Sequence, residues 1–206
     1  MLRDTSRADI MRDARTPALN TTPTEQPVLE SARLLLRPYT LADAANVQRL
    51  AGDPRIADTT TNIPHPYPDG AAERWIESLA PAFAEGRRIT FAVTLRETAE
   101  LIGSVALHTI FRDHARAELG YWIAVGHWGQ GYATEATCRL MAYAREGQGI
   151  TRIISRCLAR NPASSRVMEK AGMHREGLLI AHERKHATFE DVVLYGLTFP
   201  ERYDAG

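Results

Sequence analysis

The feature that most restricts the fold is the stretch Glu118–Ala136, which reads ELGYWIAVGHWGQGYATEA. In its first part, Leu119, Tyr121 and Ile123 alternate with Gly120, Trp122 and Ala124, and aromatic and branched residues in such an alternation predict a β-strand. Glycines then interrupt the pattern at Gly126, Gly129 and Gly131, and apolar residues at helical spacing follow. A strand, a glycine loop and a helix start in this order present free backbone N–H groups at the positive end of a helix dipole. This arrangement predicts an anion site suited to phosphate.

The loop matches neither of two common phosphate motifs. A dinucleotide fold requires GxGxxG and a P-loop requires a following Lys and Ser or Thr, and neither is present. The form is xxxGxA, in which Gly131 and Ala133 are small enough to let a pyrophosphate approach the backbone. In this form the loop resembles the pyrophosphate-binding segment of the GNAT superfamily of N-acetyltransferases. Trp128, where the superfamily usually has Gln or Arg, makes it similar to the ribosomal-protein N-acetyltransferase (RimJ/RimL-type) branch.

A second segment, Asn161–Met173, is similar to the same family in the spacing of its residues. It predicts a short helix, because Asn161 is a good N-cap, Pro162 suits the first helical position and Gly172 ends the helix. The preceding residues 152–158 predict a strand. Together the two segments and the pattern around them extend the resemblance to nearly everything from about Leu29 onward.

Composition excludes several classes of function. The chain has 206 residues and a formal net charge of zero, so we expect neither a nucleic-acid nor a membrane partner. It contains no apolar run of membrane-spanning length and no secretory signal at its start. Cys138 and Cys157 are expected to be buried, reduced and structural, which favours a cytoplasmic protein.

The pattern divides the chain into a flexible N-terminal arm, residues 1–27, and a single domain, residues 28–206. The arm is polar and rich in Thr and Pro near its end. The domain is expected to be α+β, with three layers and a mixed, mostly antiparallel sheet of about seven strands flanked by helices. The predicted strands are 31–38, 89–95, 100–109, 117–125, 152–158, 177–184 and 190–197, with a turn at 186–189. The resemblance implies that the fourth and fifth of these strands splay apart.

Between the first two strands, the sequence predicts a helix from Thr40 to Leu50 and another from Ala71 to Ala84. The intervening stretch Asp58–Gly70 contains three prolines and is expected to be irregular. It is either a binding loop, with His65 and Tyr67 facing an acceptor, or a rigid surface connection.

The resemblance implies acetyl-CoA as co-substrate. Backbone groups left unpaired at the splay, near Ile123 to Val125, should bind the pantetheine arm. One N–H among them, that of Ile123 or Ala124, should hold the developing oxyanion. The glycine loop should bind the pyrophosphate, and Asn161 is either a pantetheine ligand or only an N-cap. The cofactor-binding residues expected on this basis are Ile123, Ala124, Val125, Trp128, Gly129, Gln130, Gly131, Tyr132, Ala133, Thr134 and Asn161. Arg166 and Lys170 either reach the ribose phosphate or form a solvated helix face.

Two catalytic residues are expected. Glu118 begins the strand that leads to the loop and is the candidate base, acting directly or through water; it could also be a structural carboxylate. Met168 occupies the position where much of the superfamily has a Tyr that acts as general acid. The RimJ/RimL-type branch instead has a Ser three residues after the Asn, so the resemblance implies Ser164 as the donor to the leaving thiolate. A bound water is the alternative donor, and capping is the alternative role of Ser164.

The implied reaction is direct attack of a primary amine on the thioester in a ternary complex. The acceptor is a protein N-terminal amine or a small amine, bound by His65, Tyr67 and Tyr121. Whether the protein is a homodimer is left open by the sequence. The alternative is a CoA-binding module of the same fold that has lost catalysis. His182 and His186 have HxxxH spacing but are not expected to bind a metal, because no further ligand completes a site.

Overall fold

The computed structural model describes residues 25–185 and 187–199. The strands among them form one sheet: β1 (Leu29–Glu30), β2 (Leu34–Arg37), β3 (Ile89–Leu95), β4 (Leu101–Phe111), β5 (Arg116–Ile123), β6 (Arg152–Leu158), β7 (His174–Lys185) and β8 (Thr188–Thr198). The order across the sheet is β1-β2-β3-β4-β5-β6-β8-β7. Neighbours are antiparallel except β5 and β6, which are parallel. The predicted α+β class and mixed sheet are confirmed, and the eighth strand is the two-residue β1.

The α-helices are α1 (Ala44–Ala51), α2 (Pro54–Thr59), α3 (Ala71–Glu77), α4 (Leu79–Ala84), α5 (Tyr132–Gly147) and α6 (Pro162–Lys170). On one face of the sheet, the inward side of α5 packs through Leu140 and Ala144 against strand residues such as Phe91 and Leu119. On the other face, α1 and α3 pack through Val47, Ile76 and their neighbours against residues of β3 and β4. The sheet therefore lies between two helical layers, as predicted.

The prediction of a single helix over residues 71–84 is wrong, because the chain forms two helices there, with a break at Ser78. Pro81 has no backbone N–H to donate to the carbonyl of Glu77, so the helical hydrogen-bond pattern is interrupted there. The Ser78 hydroxyl donates to the carbonyl of Trp75 at 2.6 Å and satisfies one group at the break.

The stretch expected to be irregular, Asp58–Gly70, is helical at its start, because α2 includes Asp58 and Thr59. The missed signal precedes the prolines: the Asp53 side chain accepts a bond from the N–H of Arg55 at 2.9 Å, and Pro54 occupies the first helical position.

The predicted turn at 186–189 is too long, because β8 already includes Thr188 and Phe189. His186 lies outside the described residues, as does most of the predicted arm, residues 1–24.

The strands β5 and β6 pair only at their beginnings. The register joins Arg116 with Arg152 and ends where Leu119 meets Ser155. The remaining residues of β5 have no partner on β6, so the two strands diverge. These are the fourth and fifth predicted strands, and the expected splay is confirmed.

Candidate active site

Two cavities meet where β5 and β6 diverge. One, the α5 cleft, has a volume of about 350 Å³ and lies along the N-terminus of α5, the end of β5 and the start of α6. The other, the sheet cavity, has a volume of about 520 Å³ and lies over the sheet face that carries α1 and α3. Both are lined by Thr59, Thr60, Tyr121, Trp122 and Ser164, so these residues form the junction.

The glycine loop shapes the N-terminus of α5. Gly131 is the N-cap and has φ +82°, a left-handed conformation that favours glycine, and its position gives the helix no side-chain cap. The first N–H groups of a helix have no partner within the helix, and the dipole adds partial positive charge there. Gly129, Gly131 and Ala133 line the cleft. The sixteen-residue helix therefore presents bare N–H groups to the α5 cleft.

The backbone of β5 supplies further donors, but not all those expected. The N–H of Ala124 donates to Ile102 O at 2.7 Å, and its carbonyl accepts from His127 N at 2.8 Å. The expectation that Ala124 has an unpaired N–H is therefore wrong. In an antiparallel pair, alternate residues direct their backbone groups toward the neighbouring strand. Because Ala124 faces β4, Tyr121 and Ile123 direct theirs toward the gap beside β6, where the register has ended.

Most of the residues expected to bind the cofactor line the α5 cleft: Ile123, Trp128, Gly129, Gly131, Tyr132, Ala133, Thr134 and Asn161. Ala124, Val125 and Gln130 do not. The Gln130 side chain donates instead to Gly126 O at 3.2 Å. Arg166 and Lys170, left open by the sequence, both line the cleft and bring two positive charges to it.

Asn161 uses its side chain within the protein. Its Oδ1 accepts from Ser164 N at 3.2 Å, as an N-cap does, and its Nδ2 donates to Thr59 O at 3.2 Å. Of the two roles left open, the structure shows the N-cap. The second bond ties α6 to the end of α2 at the junction of the cavities.

Ser164 and Tyr121 form a hydroxyl pair at the junction. Their oxygen atoms lie 2.8 Å apart, with either hydroxyl able to be the donor, and the Tyr121 oxygen also lies within donating distance of Ser164 O, at 3.1 Å. Burial raises the pKa of Tyr121 well above its ordinary value, although the bond with Ser164 opposes the shift. Tyr121 therefore stays protonated near neutral pH and can donate to Ser164. Met168 is fully buried in the core and lies outside both cavities.

The sheet cavity has a floor of small residues and a balanced set of charges. The floor includes Thr90, Ser104, Ala106 and Gly120, and the walls include Tyr67, Trp75 and Trp122. The charged side chains that line it are Arg88, Glu118, Arg156 and Glu183. Glu118 and Glu183 both contact Arg156, at 2.8 Å and 3.4 Å. Glu183 was not predicted from the sequence. It lies on the edge strand β7, and only the strand order β6-β8-β7 shows that this strand is near the cavity.

Of the residues expected to bind the acceptor, Tyr67 and Tyr121 line the sheet cavity and His65 does not. The ring of His65 lies 3.2 Å from Gly52 O on the exposed surface. Asp69 lies in the same stretch but outside the cavity, where its Oδ1 accepts a hydrogen bond from Nε2 of Gln48 at 2.9 Å.

Cys157 lines the sheet cavity near the junction, and Cys138 lies outside both cavities. Cys157 is buried, and burial raises the pKa of its thiol, which disfavours the nucleophilic thiolate. Cys138 is exposed, contrary to expectation, because it lies on the outward side of α5. Within residues 25–185 and 187–199, no group of three His, Cys, Asp or Glu side chains is placed to hold a metal. In the same part of the chain, no helix is long and apolar enough to cross a membrane.

Comparison with known proteins is consistent with this geometry. Residues 33–174 match the model of the acetyltransferase (GNAT) domain. YoaA of Bacillus subtilis, an uncharacterised N-acetyltransferase, is 30% identical over 84% of this chain and 98% of its own length.

Two solved structures share the fold. RimL, the ribosomal L7/L12 alpha-N-protein acetyltransferase in complex with coenzyme A, has a TM-score of 0.77 and 20% identity, over 84% of this chain and 98% of that one. The spermidine N-acetyltransferase of Vibrio cholerae in complex with CoA and spermine has a TM-score of 0.72 and 22% identity, over 82% and 97%. At these identities the likeness concerns the fold alone. The match over most of the chain shows that this protein belongs to the GNAT family and is an N-acetyltransferase.

Proposed function

We propose that the protein transfers an acetyl group from acetyl-CoA to a primary amine by direct attack in a ternary complex. The observation that carries this proposal is the meeting of two cavities at the Tyr121–Ser164 hydroxyl pair, where β5 and β6 separate. One cavity suits a long anionic donor and the other a small uncharged or singly charged group. The two substrates can therefore meet without an acetylated enzyme intermediate.

The donor, acetyl-CoA, fits the α5 cleft. Its pyrophosphate accepts hydrogen bonds from the bare N–H groups at the start of α5. Its remaining phosphate pairs with the positive charges of Arg166 and Lys170. The pantetheine arm finds the N–H groups of Tyr121 and Ile123, which would otherwise lack a strand partner. This path brings the thioester to the junction.

The acceptor occupies the sheet cavity. A polyamine or an aminoglycoside carries several positive charges, so a site that binds one requires more carboxylates than cationic side chains. Here Glu118 and Glu183 are balanced by Arg88 and Arg156. The cavity therefore favours an acceptor with one amine, such as an N-terminal α-amine or a small monoamine, beside the aromatic walls of Tyr67 and Trp75.

The chemistry takes place at the junction. The amine nitrogen attacks the thioester carbonyl carbon, and the N–H of Ile123 or Tyr121 stabilises the oxyanion. As the C–S bond breaks, the Ser164 hydroxyl donates to the departing sulfur and receives a hydrogen bond from Tyr121. The amine must be neutral when it attacks, so a base on the side of the sheet cavity takes its proton. The sequence proposes Glu118 for this role.

Isothermal titration of acetyl-CoA into the wild type and Gly131→Trp tests the donor site. Gly172→Trp is the matched control, because Gly172 has a similar φ of +85°, has open space around it and lies outside both cavities. Both variants should lose similar stability from backbone strain. We expect the wild type and Gly172→Trp to bind at micromolar strength and Gly131→Trp to lose binding.

A panel of amines, including peptides with free N-termini and monoamines, then tests the reaction. Acetylation of at least one member supports the proposal. Absence of acetyl-CoA binding would overturn the donor site. Tight binding without turnover on any amine would indicate a CoA-binding module that has lost catalysis.

A further inference from the structure

We propose that His108, and not Glu118, takes the proton from the acceptor amine. This inference rests on the acetyl transfer proposed above and assigns the base of that reaction. By sequence, His108 resembles an ordinary strand residue. Its position in the fold is what distinguishes it.

His108 lies in a β-bulge. Leu107 pairs with Leu119 and Thr109 pairs with Glu118, so His108 is the additional residue on β4 with no partner on β5. A bulge redirects the side chain of its extra residue, and bulges are frequent beside active sites. Here the bulge lies opposite the strand that carries both Glu118 and Tyr121. It places the imidazole among the residues that line the sheet cavity.

The neighbouring strand is shaped to accept this ring. A Cβ atom at Gly120 would lie 2.0 Å from Nε2 and 2.4 Å from Cδ2 of His108. The three nearest atoms to that Cβ position all belong to the His108 ring. Gly120 therefore leaves the space that the imidazole occupies.

The ring is in the right chemical state for a base. His108 is exposed by surface area, but the protein atoms around its ring still desolvate it and lower its pKa below its ordinary value. The charge of Arg88 adds to this shift. Glu118 raises the pKa and Arg156 lowers it, and Glu183 is the remaining charged residue that lines the cavity. The imidazole is therefore neutral at pH 7. No hydrogen bond engages its ring nitrogens within the described residues, which leaves a lone pair free.

Glu118 is less available for this role. Its Oε1 accepts from Nε of Arg156 at 2.8 Å and lies at the same distance from a second guanidinium nitrogen. A carboxylate in such a fork is fixed in place, and its charge and lone pairs are already engaged by the guanidinium. The imidazole of His108 is therefore the better placed of the two to take a proton from the acceptor.

An imidazole nitrogen of His108 takes one proton from R–NH₃⁺ and leaves R–NH₂ and an imidazolium ion. The amine forms the C–N bond, the C–S bond breaks, and its electron pair leaves with sulfur. A second proton from the amine nitrogen passes to the thiolate beside Ser164. The imidazolium then returns its proton to solvent, so the products are an amide, the CoA thiol and one proton.

The identity of the base also restricts which class of acceptor amine the enzyme can use. An α-amine has a pKa of about 7.7–8.0 and a Lys-type amine about 10.4. An imidazole with a pKa below about 6.5 takes a proton far more readily from the first than from the second. His108 therefore favours an N-terminal or other weakly basic amine.

The test is the pH dependence of kcat at saturating acceptor for the wild type and His108→Gln. In the wild type, kcat should rise with pH through the pKa of His108 and level off near pH 7, because only neutral imidazole accepts a proton. In His108→Gln, the amine must lose its proton to solvent, so the rise should move up to the pKa of the amine. We expect a loss of about 10²-fold at pH 7 that shrinks above pH 8. Affinity for acetyl-CoA should not change.

Two comparisons separate this role from a structural one. His114→Gln is the matched control, because His114 is exposed and lies outside both cavities. Gly120→Ala should displace the ring and lower kcat in the wild-type background. It should have little effect in His108→Ala, where the ring that its Cβ would meet is gone.

The outcomes are distinct. An unchanged pH profile in His108→Gln, with the shift appearing in Glu118→Gln instead, would overturn the inference while leaving the acetyl transfer intact. An equal loss in His108→Gln at all pH values would show a packing role and would also overturn it. Failure of the wild type to acetylate any amine would overturn the proposed function and the inference together.

Discussion

At the scale of single residues, the proposed reaction assigns the leaving thiolate to the paired hydroxyls of Tyr121 and Ser164. The position of Ser164 was expected from the spacing after Asn161. Its partner was not, because the two residues are 43 positions apart in the chain. A thiol has a pKa of about 8.5, so a thiolate is already a fair leaving group and needs only modest help. In the proposed reaction, the pair would therefore give the leaving sulfur only modest stabilisation.

Ser164→Ala should consequently lower kcat by about ten- to a hundredfold, at the low end of the range for general acids. Tyr121→Phe removes one hydrogen bond to Ser164 and should cost up to about tenfold. Because Tyr121 acts through Ser164, the double variant should be no slower than Ser164→Ala. Single-turnover kinetics would measure these rates.

Ser165→Ala is the control for the pair. Ser165 follows on the same helix and its hydroxyl lies 3.5 Å from Sγ of Cys157, outside both cavities. Additive losses in the double variant would mean that Tyr121 acts independently of Ser164.

At the scale of elements, α2 is short but essential to the junction. Its last residue, Thr59, and the next, Thr60, line both cavities. A helix of six residues is not stable by itself, so contacts with the rest of the protein must hold it. Lys185 on β7 donates to Ala57 O and Thr60 O, and Arg160 binds the Asp58 carboxylate at 3.0 Å.

Lys185→Met should loosen α2 while keeping a side chain of similar length. The two carbonyl groups lose a charged donor, and each such bond contributes about 1.5–3 kcal/mol. We expect amide hydrogen exchange in residues 54–60 to become at least tenfold faster, and the KM for both substrates to rise. Exchange measured by mass spectrometry on peptides that cover α2 would show the change.

Arg184→Met serves as the control, because Arg184 precedes Lys185 on the same strand and lies outside both cavities. Equal exchange in both variants would assign the stability of α2 to its other contacts.

At the scale of the whole molecule, the sheet is continuous in strand order but weak at one place. Four residue pairs join β5 to β6, and three bonds or ion pairs reinforce the gap: Ser155–Leu119, Arg156–Glu118 and Tyr121–Ser164. A ligand in the α5 cleft would contact the β5 side through the end of that strand and the other side through α6. Donor binding should therefore stabilise the entire fold.

Acetyl-CoA at about 100 times its Kd should raise the free energy of unfolding by about 2.7 kcal/mol. For a chain of this size, that corresponds to an increase in Tm of about 5–11 °C. Thermal melts at several ligand concentrations would measure it, with Gly131→Trp as the variant expected to show no shift. A Tm independent of ligand concentration in the wild type would contradict the proposed donor site.

The sequence by itself determined the features whose hydrogen bonds lie within a few residues. The left-handed cap at Gly131, the N-cap at Asn161 and the strand before the glycine loop were all predictable, because local geometry requires those residue types there. The order of these elements was enough to predict the fold class, and the family resemblance implied the splay. The phosphate site at the glycine loop stays a prediction.

Only the tertiary structure decided which side chains line the sheet cavity. Arg156 meets Glu118 across 38 positions, Lys185 reaches α2 across more than 120, and Glu183 arrives from the edge strand of the sheet. The bulge at His108 depends on the register between two strands, which periodicity does not specify to the residue. Side chains from distant strands share a cavity only when strand order and register are set, so the proposed base and acceptor class follow from the fold and not from any motif.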